Sequence, residues 1–125
     1  MDIFIKFEDA PTNEDSLQLT RLANLIEKDC DTSIQINKID TKNGLKNGGL
    51  ATGLTILGLG ISAIGTFISV LSYWKSERPK YGVSINYNSI KLSMDNIQLH
   101  EIKKMISILE TQNHLFNINV LISKK

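Results

Sequence analysis

The sequence predicts an α+β fold: a ferredoxin-like or split β-α-β sheet, in the order β-α-β, insertion, β-β-α-β, with a Gly-rich apolar transmembrane-type helical segment inserted. Three observations predict it. Apolar residues alternate with period two in short runs near both ends of the chain, as strands with one buried face do. They recur every three or four residues in two longer runs, as amphipathic helices do. Between the halves, residues 47–74 carry no charge, although the chain has 14 Lys and Arg and 13 Asp and Glu.

The N-terminal half is residues 1–40. Ile3, Ile5 and Phe7 alternate with Phe4, Lys6 and Glu8, which gives a strand over 2–8. Ala10-Pro11-Thr12-Asn13 breaks it. Thr12 or Asn13 caps a helix over 14–29, with Glu14 and Asp15 favourable at its positive end. Leu19, Leu22, Ala23 and Ile26 form its apolar stripe. Ile34 and Ile36 share one face of a second strand, residues 33–39.

Residues 41–47 are a polar linker, and 48–75 form an apolar membrane or oligomerisation helix, or a helical hairpin. Continuous helix over 47–74 would run about 40 Å at ~1.5 Å per residue, enough for a ~30 Å hydrocarbon core. Gly48, Ala51, Thr55, Gly58, Ser62, Gly65, Ser69 and Ser72 recur at alternating spacings of three and four. On one helix they would make a small face for close packing or a pore lining. Gly58 and Gly60 are the candidate helix break. Lys46, Tyr73, Trp74, Lys75 and Arg78 are candidate interface anchors, since aromatic and basic residues favour the headgroup region. One full span would separate the two halves across the bilayer. The expectation is therefore a re-entrant hairpin, insertion on activation, or burial within a soluble oligomer.

Pro79 stops the block. The C-terminal half, residues 81–125, follows. Val83, Ile85 and Tyr87, then Ile90, Leu92 and Met94, alternate about an Asn88-Ser89 turn as a hairpin. Asp95 and Gln98 suit a capping box. Ile102, Met105, Ile106 and Leu109 give a helix face over 96–111, and Phe116, Ile118, Val120 and Ile122 a last strand.

Composition narrows the function. Net charge is +1 and mean hydropathy −0.07, so there is no basic excess for nucleic acid. Cys30 is the single cysteine and lacks metal-ligand neighbours, as do His100 and His114. No nucleophile–base pair, metal cluster or phosphate loop is visible, so neither catalysis nor a cofactor is expected. Met1 to Lys6 has no basic, apolar and small-residue succession of a signal peptide, so both halves are expected to start in the cytoplasm.

The layout resembles the effector-associated constant component family of bacterial conflict systems. The resemblance is carried by the Leu17–Ile26 helix, the Gly58-Leu59-Gly60 cluster in an apolar segment, the Trp74-Lys75-Ser76-Glu77-Arg78 ending and the Val83–Tyr87 strand. It departs from the family in Glu77 and Pro79, which interrupt the basic run, and in a shorter glycine cluster. The resemblance implies an accessory or effector component of antiphage defence, with no catalytic motif to transfer. The expected function is a self-associating small effector of the inner membrane, permeabilising it when a partner sensor or protease triggers it. The alternative is a non-catalytic adaptor, membrane-anchored or oligomerising, that recruits a partner enzyme. Expected partners are further copies of the chain, membrane lipid and a protein of the same system, without nucleic acid.

Overall fold

A computed structural model describes residues 2–39, 50–87, 90–94, 99–111 and 117–124. The linker 41–47, Gly48, Lys46, the Asn88-Ser89 turn, the Asp95 and Gln98 cap, and His114 lie outside the described residues.

The elements run β1 (Asp2–Phe7), α1 (Asn13–Cys30), β2 (Gln35–Ile39), β3 (Leu50–Ile56), α2 (Ile64–Ser76), β4 (Tyr81–Tyr87), β5 (Ile90–Ser93), α3 (Leu99–Thr111) and β6 (Asn117–Lys124). The α+β class holds, as a mixed sheet of six strands with three helices. Sheet order is β2-β3-β1-β6-β4-β5. Its centre is the parallel pair β1–β6, where Ile3 lies beside Ile118 and Ile5 beside Val120. The remaining neighbours are antiparallel.

These pairings make three split β-α-β units. β1 and β2 run the same way with β3 between them. β3 and β4 run the same way with β1 and β6 between, and β5 and β6 with β4 between. The helices therefore cross over strands whose inner residues form one core: Ile3, Ile5, Leu54, Ile56, Val83, Ile85, Ile118, Val120 and Ile122. Leu19, Leu22 and Ile26 of α1 and Phe67, Ile68 and Leu71 of α2 close it. α2 contacts both α1 and α3. Along β1 and β6 the alternate residues, such as Lys6, Asn117 and Asn119, remain exposed on the opposite face.

The inserted helix is not there. Residues 50–56 are β3, hydrogen-bonded between β2 and β1, and 64–76 are α2. Leu57 to Gly60 and a single 3-10 turn, Ile61–Ala63, join the two. No helix among the described residues is long and apolar enough to cross a membrane. The physical reason lies in the position of each piece. β3 is flanked by strands on both sides and covered by α1, so it needs no charge. The inner face of α2 carries Ile64, Phe67, Ile68, Val70, Leu71 and Trp74 into the core. Its outer face is uncharged polar residues such as Thr66 and Ser69. An interior strand followed by a half-buried helix reads in sequence as one continuous apolar run.

Glycine is required at two points here. Gly58 has φ +67, the left-handed region that glycine enters without cost, and its N–H donates to Asp2 Oδ1 at 2.9 Å. Gly53 lies against β1 so closely that a Cβ would stand 2.7 Å from the Ile5 carbonyl oxygen.

A cationic groove as the candidate functional site

Gln18, Arg21, Leu25 and Lys28 follow one another at spacings of three, four and three, which places them in one stripe along α1. This stripe forms one wall of a groove of about 780 Å³. The opposite wall is Tyr73, Glu77, Arg78, Pro79 and Lys80, at the end of α2 and in the turn before β4. The turn closes with the Tyr81 N–H donating to the Arg78 carbonyl at 3.1 Å, with Pro79 at its second position, where the fixed φ of proline fits. Four basic side chains and one acidic one line the groove.

Arg78 is held from below. Its Nε donates to Gln18 Oε1 at 2.5 Å and its Nη1 to the Trp74 carbonyl at 3.1 Å. The guanidinium lies 5.2 Å from the Trp74 ring centroid, a cation–π contact. Gln18 itself is buried and joins the two walls. Its Nε2 donates to Glu14 Oε1 at 2.6 Å, and its carbonyl accepts the Trp74 indole N–H at 3.0 Å. Among the described residues neither Arg21 nor Arg78 has an ion pair. Burial, and then the like charge of Arg21, lower the pKa of Arg78, while Glu77 acts in the opposite sense. Two guanidinium groups without an ion pair among the described residues thus share one concave surface.

Beneath the groove lies a polar hub. Asp15 is 3% exposed and accepts from Tyr81 Oη at 2.6 Å, Lys124 Nζ at 2.6 Å and the Thr12 N–H at 2.9 Å. The Asp15 N–H donates to Thr12 Oγ1 at 3.2 Å, completing a capping box. Burial pushes the Asp15 carboxyl up, but Lys124, the Thr12 N–H and Tyr81 together hold it far below the usual carboxylate range. Burial and the bond to Asp15 push the Tyr81 phenol up. Tyr81 stacks on Trp74 with ring centroids 5.5 Å apart and an interplanar angle of 12°. The hub ties α1, α2, β4 and the end of β6 into one support for the groove.

The small-residue stripe does not make a single face. Ala51 and Thr55 are in β3, Gly58 is in the turn after it, Ser62 is in the 3-10 turn, and Gly65, Ser69 and Ser72 are in α2. Thr55 accepts from Asn37 Nδ2 at 3.0 Å, and the Ser69 hydroxyl donates to the Gly65 carbonyl at 3.0 Å. Gly58 turns a strand toward a helix and does not break one helix into two; Gly60 caps the 3-10 turn. The interface anchors also part company. Trp74 is fully buried, a core residue of this fold and not an exposed anchor. Tyr73 is 57% exposed, Lys75 lies in the last turn of α2, and Arg78 faces the groove. Gln18, Arg21 and Lys28 were missed as site residues. Their spacing beside the Leu19–Ile26 core stripe was visible, but Arg78, their neighbour in space, is 50 or more positions away.

Among the described residues no group of three His, Cys, Asp or Glu converges to hold a metal ion. Cys30 is half-buried in the last turn of α1, where burial and then Asp29 raise its pKa and keep it protonated. Comparison with protein-family models, curated proteins and solved structures finds no match.

Proposed function

We propose that this chain is a non-catalytic recognition domain, an adaptor of a bacterial defence system, that binds an anionic partner in the groove between α1 and the α2–β4 turn. The observation that carries the proposal is that Arg21, Lys28, Arg78 and Lys80 line one groove against a single acidic side chain, Glu77. Keeping like charges together on a concave surface costs free energy that an anion would return. A guanidinium fixed from behind, as that of Arg78 is, suits binding.

The membrane-effector reading has a steep structural cost. To form a spanning helix, residues 50–56 would have to leave β2 and β1, and α2 would have to take Phe67, Leu71 and Trp74 out of the core. The adaptor reading requires neither.

Binding of two anionic probes, pyrophosphate and a Glu-rich peptide, to the wild-type chain and to an R21E/K28E variant tests the proposal. At least one probe is expected to bind, with affinity falling about tenfold or more on charge reversal. Binding by neither probe, or equal binding to both proteins, would contradict it.

A further inference from the structure

We propose that the groove recognises a nucleotide, its phosphates held by Arg21 and Arg78 and its base laid against the ring of Tyr73. The inference rests on the groove being the recognition site and goes further by naming the ligand. Four features of the groove favour a compact phosphate ligand over an extended acidic peptide. Its volume, about 780 Å³, falls within the roughly 300–1,000 Å³ of small-molecule sites. The cations lie in two pairs, Arg21 and Lys28 on α1 and Arg78 and Lys80 in the one turn facing it. A guanidinium fixed at Nε and Nη1 still has donors to offer, and paired donors of this kind match phosphate oxygens in a bidentate fashion. Finally, Tyr73 presents an aromatic ring that is 57% exposed beside the cations, with Leu25 and Pro79 as apolar neighbours. Stacking on such a ring tolerates any base.

The chain would then be a ligand-responsive adaptor. Occupancy would be felt directly beneath the site, because Arg78 lies on Trp74, and Trp74 on Tyr81. The sole tryptophan of the chain therefore reports on the groove.

The test is a titration of the full chain with ADP, pyrophosphate and a Glu-rich peptide, read by Trp74 fluorescence and by calorimetry. ADP is expected to bind about tenfold or more tightly than pyrophosphate, as one stacked base allows. In Y73A, a substitution at an exposed position, the advantage of ADP disappears while pyrophosphate affinity stays. In R21A both ligands weaken about tenfold or more. ADP binding no tighter than pyrophosphate, or insensitive to Y73A or R21A, would overturn the inference. Binding of the peptide alone, with R21A sensitivity, overturns the nucleotide assignment and leaves the adaptor reading standing. Failure of all three probes overturns both.

Discussion

The guanidinium of Arg78 lies over the indole of Trp74, 5.2 Å from the ring centroid, and donates to the carbonyl of that same residue. This is the joint between the core and the groove. One partner is fully buried and the other is open to solvent on one side. R78A should lower stability by about 1–3 kcal/mol, because the buried Gln18 Oε1 loses a charged donor. R78K should recover only part of it, since an ammonium cannot reproduce the two directed bonds. Thermal unfolding followed by tryptophan fluorescence measures both.

The Asp15 hub makes stability depend on acid pH. The folded-state pKa of Asp15 is depressed, so its contribution is complete well above the ordinary carboxylate pKa of 3.8 and is lost as pH falls from about 5 through that value toward the folded one. Wild type should lose stability between pH 5 and the onset of acid unfolding more steeply than D15N does. At pH 7, D15N should be about 2–4 kcal/mol less stable, since the amide carries no charge for Lys124 and keeps one acceptor oxygen where Tyr81, Lys124 and the Thr12 N–H use two. Urea unfolding at pH 7, 5 and 4 checks the sign, and parallel curves for the two proteins would count against it.

Glycine substitutions separate the two pictures of the apolar block. G53A should destabilise by about 1–3 kcal/mol, because its Cβ would overlap the Ile5 carbonyl oxygen and force β3 from β1. G65A should stabilise by about 0.5–1 kcal/mol, since the position is helical and the nearest atom, Ile106 Cδ1, is 3.8 Å from the new Cβ. A continuous helix packing by its small face would instead be damaged at Gly65, which lies on that face, and tolerate alanine at Gly53, which does not. Chemical denaturation of the two variants decides.

Much of the fold was legible in the sequence, and the exception is instructive. Period two located β1, β2, β4, β5 and β6 to within a few residues, most clearly in β1, β4 and β6, where buried residues alternate with exposed or half-buried ones. The helices α1 and α3 showed their stripes for the same reason. β3 gave no alternation, because it is an interior strand whose Ala51, Gly53, Leu54 and Ile56 are all buried. Its small residues reflect close approach: the Ala51 N–H donates to Ser16 Oγ of α1 at 2.8 Å, and Gly53 meets the β1 backbone. Those in α2 instead lie on its outer side or toward α3. Two unrelated causes produced one regular spacing. Trp74 and Arg78 were legible as a pair but not in role, because burial under α1 depends on a contact between residues 56 and 60 positions apart.

Residues 50–74 are expected to remain a strand and a helix of one fold, even beside lipid. Amide hydrogen exchange of the full chain, with and without vesicles containing anionic lipid, measures this most directly. The predicted result is slow exchange at Leu54 and Ile56, unchanged by vesicles, faster exchange at Leu57–Gly60, and no release of an entrapped dye. Loss of protection in β1 and β2 on adding vesicles, new protection running through Leu57–Ala63, and dye release would contradict it.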